Sequence, residues 1–342
     1  MINVTLKDVA KAAGVSVSTV SYALRGKGNI SKDVRRRIIR ISQEIGYQKN
    51  IHAEAMATSK SRNIAILLQE DYEKVHEWSL IRNMFIQLES VITSAGYFPV
   101  LLTTSFNAKT KDLFEKIASS GIGALFSIHY GNVELFNLLE DHKIPVVVIN
   151  NADYEDKFFS VCSDDFHGAY QGASYLLKLG HTKIGYIDYH RPDFKRCFSD
   201  RFIGFKTAIA EHDVVFNDQN RITVSLQNKE ELREKIIKLV TSPYKLTALF
   251  VHDDFTAAKT IVILESMDLN IPGDLSIIAP GDTLDYNQEY IPRITTMQID
   301  TALLGKLAGE MMIDILSNKY DKLTSLKIRQ QLVDRGSCVE LL

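Results

Sequence analysis

The sequence predicts a small all-α helix-turn-helix head followed by a two-lobed α/β body with parallel sheets. Three observations predict it. The first sixty residues are basic and carry three short amphipathic helices. A long alternation of apolar β-type runs and amphipathic segments begins at Asn63. A polar stretch from Asn150 to Asp164 interrupts that alternation, which then restarts. At 342 residues, and about 100–200 residues per domain, two or three folded units are expected.

In the head, Thr5 is placed to cap a helix beginning at Leu6, with Asp8 as its reciprocal partner. Leu6, Val9, Ala10 and Ala13 share one face, and Gly14 ends the helix. Ser16 then caps a second helix from Val17 to about Leu24. Two helices joined by so short a Gly-containing turn form a helix-turn-helix. Ser31 caps a third helix, buried through Val34, Ile38, Ile41 and Ile45 and stopped at Gly46. Its arginines Arg35, Arg36, Arg37 and Arg40 are free for solvent or phosphate where they leave the apolar stripe.

Charge is divided unevenly. Residues 1–61 hold 11 Lys+Arg and 4 Asp+Glu, a net +7, and the remainder carries −9. A basic head on an acidic body suits a polyanion partner, although a solvated charged surface would show the same imbalance.

In the body, the runs Ile64–Leu68, Phe98–Leu102, Ala124–Ile128 and Val146–Ile149 read as one series of strands. Ile184–Ile187, Leu249–Val251 and Ser276–Ala279 read as a second. Leu80–Ala95, Val133–Asp141, Gly168–Leu179, Arg201–Glu211, Glu230–Val240 and Thr256–Met267 are the helical segments between them. Two lobes with a ligand cleft at the carboxyl ends of their strands follow. No glycine-rich phosphate loop is present, so nucleotide-binding folds of that kind are excluded.

The run Val4-Thr5-Leu6-Lys7-Asp8-Val9-Ala10, then Ala13-Gly14-Val15-Ser16 and Thr19-Val20-Ser21, resembles the headpiece of the lac repressor family of bacterial transcription regulators. Ile45-Gly46-Tyr47 and the segment to Ala57 extend the resemblance. In the body, Asp164-Asp165, Leu179-Gly180-His181, Arg201 with Gly204-Phe205, Asp253-Asp254, Ile271-Pro272 and Arg335-Gly336-Ser337 resemble the same family. The resemblance implies a periplasmic-binding-protein-like body. It divides the chain into a headpiece at 1–49, a hinge at 50–61, and an effector-binding and dimerisation domain at 62–342.

It also implies site residues. Val17, Ser18 and Tyr22 would read base edges from a helix in the major groove. Many members carry Arg or His where this chain has Tyr22. Ser16, Thr19, Ser21, Asn29, Ser31, Tyr47 and Asn50 would bond phosphates, though each hydroxyl could equally be a cap or solvated. Ala53, Met56 and Ala57 would form the minor-groove hinge, with Met56 either as wedge or as a dimer contact. Arg201 would clamp the effector and opens a predicted helix; the alternative for it is a surface ion pair. Asp253 stands where many members have Asn or Ser. Asp282 would serve where the family pattern has an acid that Gly281 replaces here. Asn150, after the fourth strand, and Trp78, as a stacking ring or an interface residue, complete the effector set.

The expected function is a repressor of carbohydrate-utilisation genes. It would bind a pseudo-palindromic double-stranded operator as a homodimer, through body helices near Arg82–Val91, and be controlled by a small sugar. A purine, a nucleoside or a phosphoprotein corepressor are the alternatives. No aromatic partner stands near Val224-Ser225-Leu226, which argues mildly against a flat purine. No catalytic motif, cofactor site or metal-ligand spacing is present: the nine His are scattered and Cys162, Cys197 and Cys338 are isolated. An enzyme or an exported solute-binding protein is therefore remote. No 18-residue apolar run and no signal core occur, so a cytoplasmic protein, at the nucleoid when bound to DNA, is expected.

Overall fold

A computed structural model describes residues 4–24, 28, 30–47, 61–70, 77–105, 108–189, 195–320 and 322–341. The chain divides into two compact units, Met1–Ser61 and Arg62–Leu342.

The first unit is three helices, α1 (Leu6–Ala13), α2 (Val17–Leu24) and α3 (Lys32–Glu44), around Val9, Ala10, Ala13, Val20, Ala23 and Ile38. Local chemistry sets each boundary. The Asp8 carboxylate accepts from the Thr5 N–H at 2.8 Å and its hydroxyl at 2.6 Å. Gly14 ends α1 at φ 64°, a left-handed geometry that disfavours side-chain-bearing residues. Ser16 Oγ accepts from the Thr19 N–H at 3.1 Å and starts α2. Ser31 Oγ accepts from the Val34 N–H at 3.4 Å and starts α3. Arg37, expected to be free, donates from Nη2 to the Ala13 carbonyl at 2.9 Å. It thereby satisfies an end carbonyl of α1 that lacks a helical partner.

The second unit begins with β1 (Asn63–Glu70), α4 (Glu77–Ser94), β2 (Phe98–Ser105), α5 (Thr110–Ser119), β3 (Ile122–Ile128), α6 (Val133–Asp141), β4 (Val146–Ile149) and β5 (Phe159–Ser163). A second series follows: α7 (Asp165–Lys178), β6 (Ile184–Tyr189), α8 (Lys195–Glu211), β7 (Arg221–Val224), α9 (Lys229–Val240), β8 (Ala248–Val251), α10 (Asp254–Glu265), β9 (Ser276–Gly281) and β10 (Thr295–Gln298). It closes with α11 (Thr301–Leu316), β11 (Ser325–Ile328) and β12 (Gln331–Val333).

Two six-stranded sheets result, ordered β11-β5-β4-β3-β1-β2 and β12-β10-β9-β8-β6-β7. The winding is the same in both, so the lobes are structural relatives without a visible sequence repeat. All pairings are parallel except β10 with β12. Both faces of each sheet are covered, which is why the strands read as continuous apolar runs. In β1, Ile64, Ile66 and Leu68 pack toward Met84 and Leu88 of α4, while Ala65 and Leu67 pack toward Leu135 and Phe136 of α6.

The chain passes between the lobes three times: from β5 into α7, from β10 into α11, and from β11 into β12. The polar stretch from 150 to 164 thus contains a strand of the first lobe, and the second lobe starts at Asp165. Helix α8 begins at Lys195, so Arg201 lies well inside it rather than opening it.

Candidate functional site

On α2, Val20 and Ala23 turn inward, which leaves Val17 (41% exposed) and Tyr22 (48% exposed) on the outer face with Ser18. Ser16 Oγ lies 2.7 Å from Ser18 Oγ and 2.8 Å from Thr19 Oγ1, so three hydroxyls cluster at the start of the helix. Ser21 is half-buried, Tyr47 packs against the head core, and Ser31 is an exposed cap. Lys32, Arg36 and Arg40 are exposed on α3, and Arg40 lies 3.6 Å from Glu44. Asn29, Asn50, Ala53, Met56 and Ala57 lie outside the described residues, as does the side chain of Trp78. The described residues put a cluster of hydroxyls at the start of α2 and exposed cations on α3, a chemistry that suits a groove lined by phosphates.

The body holds a cavity of about 100 Å³ between its lobes. Arg201 is its central cation, 6% exposed. Its Nε and Nη2 both reach Asp165 Oδ1, at 2.9 and 2.8 Å, and Nη1 donates to the His252 carbonyl at 2.6 Å. Three of the five guanidinium N–H groups are thus engaged. Gly204 makes this possible: a Cβ there would lie 2.1 Å from the Phe166 carbonyl oxygen, so α8 rests backbone-to-backbone on α7 and brings Arg201 to Asp165. Gln330, on the third crossing, donates from Nε2 to Ser163 Oγ at 2.9 Å and Asp165 Oδ1 at 3.2 Å.

Asp253 lines the cavity, and its Oδ1 caps α10 by accepting from the Thr256 N–H at 2.7 Å. Asn150 lines it from the first lobe. Its Nδ2 lies 3.0 Å from His129 Nε2, and its Oδ1 accepts from the Ser163 N–H at 3.3 Å. Asn150 and His129 have φ of 55° and 60°, left-handed values that gather at functional sites.

Asp282 is placed elsewhere. Its carboxylate pairs with Arg335 and accepts from Thr296 Oγ1 at 2.9 Å and Gln298 Nε2 at 2.6 Å, while Gly281 and Thr283 line the cavity. Asp282, expected at the effector, is not among the residues lining the cavity; its oxygens hold β10 and Arg335. The glycine beside it has a cause. A Cβ at Gly281 would lie 2.5 Å from Asp254 Oδ1. Asp254 is buried and accepts from the N–H groups of Thr283 and Leu284, the Thr283 hydroxyl and the Tyr286 hydroxyl. Burial pushes its carboxyl up to about 6 despite those donors.

The cavity also has an aromatic side that sequence reasoning missed. Phe198 stacks on His252 with centroids 4.1 Å apart and planes 10° apart, and Tyr189 meets both edge-on. Phe255 lines the same space. Burial holds His252 below its ordinary range, and its Nδ1 lies 3.3 Å from Asp188 Oδ1. The argument against a flat ligand drawn from Val224–Leu226 therefore loses its footing, because rings from α8 and from the end of β8 line the cavity instead. Asp165 stood in the sequence motif, but nothing local marked it as the partner of Arg201. Among the described residues there is no metal-ligand cluster and no helix long and apolar enough to cross a membrane.

A helix-turn-helix unit and a two-lobed body with a polar cleft define a DNA-binding transcription regulator. Residues 5–50 match the family described as bacterial regulatory proteins, lacI family, and residues 173–338 match the periplasmic binding protein-like domain. The HTH-type transcriptional repressor PurR of Photorhabdus laumondii is 25% identical over 340 residues, covering 98% of this chain and 97% of that protein. The HTH-type transcriptional regulator RegA of Clostridium saccharobutylicum is 23% identical over 337 residues, covering 98% and 99%. The fold is that of the lac repressor dimer bound to operator and the anti-inducer ONPF, with a TM-score of 0.80 at 18% identity over 98% of this chain and 99% of that one. The transcriptional regulator CelR–cellobiose complex has a TM-score of 0.70 at 18% identity over 98% and 100%. A lacI-family helix-turn-helix domain is thus followed by a periplasmic-binding-protein-like domain, and the relatives matched over almost the whole chain are named as transcription regulators.

Proposed function

We propose that the protein is a repressor of carbohydrate-utilisation genes that binds a pseudo-palindromic operator as a homodimer and is controlled by a small neutral sugar in the cleft. The observation that carries the ligand class is the cavity's donor set. Arg201 offers the two guanidinium N–H groups left by Asp165 and the His252 carbonyl, Asp253 and Asn150 offer polar atoms, and Phe198, His252 and Phe255 offer apolar faces. Vicinal hydroxyls with an apolar ring face match that set. The carboxyl groups of Asp165 and Asp253 and the guanidinium of Arg201 line the cavity with a formal charge of −1, which opposes a phosphorylated ligand.

Val17, Ser18 and Tyr22 are assigned to bases, and Ser16, Thr19, Ser21, Ser31 and Tyr47 to phosphates, with Asn29 and Asn50 beside them. Ala53, Met56 and Ala57 are assigned to the minor groove by family resemblance. Ile86 on α4 and Phe98 and Leu101 on β2 are large exposed apolar residues that suit a dimer contact.

The stacked Phe198–His252 pair supports a second reading, a purine or nucleoside effector. Thermal unfolding with neutral mono- and disaccharides, sugar phosphates and purines separates these readings. A ligand that binds only the native state raises the midpoint, by an increment equivalent to about 2.7 kcal/mol at a hundredfold excess over Kd. A shift with a neutral sugar, lost in Arg201→Ala, supports the sugar. A shift with purine alone supports the second reading, and no shift with any compound favours a protein corepressor.

A further inference from the structure

The first lobe holds the start of α8, a helix of the second lobe. Asp153, in the 3-10 turn after β4, accepts the Lys195 N–H at 3.0 Å and the Arg196 N–H at 2.6 Å. A carboxylate at this end of a helix satisfies orphan N–H groups and meets the favourable end of the helix dipole. The Arg196 side chain reaches back across the gap, with Nη1 2.6 Å from Asp156 Oδ2 and Nη2 2.8 Å from Glu155 Oε1. Glu155 is buried and is also 3.2 Å from Lys327 Nζ of β11, which itself lies 4.0 Å from Asp200 on α8. Every bond in this cluster joins protein groups, and the pairs of Asp153, Asp156 and Glu155 with α8 cross from one lobe to the other.

The cluster sits beside the cavity on both sides. Ala152, next to Asp153, lines it, as do Cys197, Phe198 and Arg201 in the turns of α8 that follow Arg196. We propose that Asp153 and Arg196 form an inter-lobe clasp, which fixes the separation of the lobes and sets where α8 presents Phe198 and Arg201 to the cleft. They are positioning residues. Their importance for effector binding rests on the cleft reading above, whereas the clasp itself is tested without any effector. A ligand that needs the lobes further apart must break the clasp; one that fits the closed spacing keeps it. Selection by size is thereby built into groups that never touch the ligand.

The native cysteines report on it. Cys162 lines the cavity from the first lobe and Cys197 from the second, while Cys338 packs beneath the second sheet and does not line it. The experiment follows alkylation of each by N-ethylmaleimide in the full chain, with peptide mass spectrometry, for wild type, Arg196→Met and Asp153→Ala. Both variants should alkylate Cys162 and Cys197 severalfold faster, with Cys338 unchanged. Raising salt from 0.1 to 1 M shortens the screening length from about 10 to about 3 Å, so it should speed the same two cysteines in wild type and add little to Arg196→Met. Unchanged rates at Cys162 and Cys197 in Arg196→Met would overturn the clasp. So would a rise matched by Cys338, which marks general loosening. If Asp153→Ala fails to fold, Arg196→Met decides, since its side chain is 34% exposed and its loss leaves no buried cavity. A thermal-shift panel that fails leaves this outcome untouched, and failure here leaves the effector reading standing.

Discussion

Replacing Asp165 by Asn should be one of the most damaging isosteric changes in the body. Arg201 is 6% exposed and, among the described residues, forms its ion pair with Asp165, at 2.8 Å. Asn keeps the shape and one acceptor but removes the charge, leaving a guanidinium buried without a counter-ion. Breaking a buried pair from one side costs about 3–5 kcal/mol. The retained Asn oxygen puts this case near the lower end, about 3 kcal/mol. With a urea dependence of roughly 2 kcal/mol/M, the midpoint should fall by on the order of 1.5 M. The companion is the double change Asp165→Leu with Arg201→Met, which removes both charges and fills similar volume. It should cost less than Asp165→Asn alone, because replacing a whole buried pair with apolar groups is often near neutral. Urea unfolding of the full chain measures both. A single variant within about 0.5 kcal/mol of wild type, or a double variant worse than the single, refutes the claim that charge pairing at Arg201 organises the cleft.

Gly204→Ala should destabilise the body by about 3 kcal/mol, the upper end of overpacking costs, because its Cβ meets a backbone oxygen at 2.1 Å; the thermal midpoint reads it, and an unchanged midpoint contradicts the close α7–α8 approach. Asp254 predicts a pH dependence. Its folded pKa of about 6 exceeds the ordinary 3.8, so the stability it contributes is complete below pH 3.8 and lost as pH rises through 6, on the order of 3 kcal/mol in all. Wild type should therefore lose stability relative to Asp254→Asn between pH 4 and pH 7, and parallel curves would sink the idea. In the head, Tyr22→Ala should relax preference at one base pair of each half-site by about 1–3 kcal/mol with an unchanged salt slope, while Arg36→Gln should lower the slope by about 1 and leave preference alone. Fluorescence anisotropy over a set of operators at several salt concentrations checks both.

The head was legible because its signals are local. Thr5 with Asp8, Gly14, Ser16 and Ser31 each act within three or four residues of where they stand. The strands of the body were legible because both of their faces are buried. What escaped reading is held by distant partners. The start of α8 has N–H groups answered by Asp153, 42 residues away, a partner that sequence order does not reveal. Arg201 was read, but Asp165 and the His252 carbonyl stand 36 and 51 residues from it. Helix α11 carries Gly305 and Gly309, poor helix formers. A Cβ at Gly305 would meet the Met84 oxygen of α4 at 2.1 Å, so tertiary contact holds what propensity disfavours. Asp282 does not line the cavity, and its partner Arg335 stands 53 positions on.

The three passages between lobes have a consequence for synthesis. The first lobe receives β11 and the second receives β12 at one of the last turns of the chain, and α11, which packs against α4, arrives just before them. A ribosome that has made the first two hundred residues has therefore released a first lobe with an uncovered edge at β5 and an apolar face waiting for Leu304 and Met311. Neither lobe can finish before the other is nearly complete, so the two must mature together, and a chain halted before residue 325 exposes two sheet edges at once to aggregation.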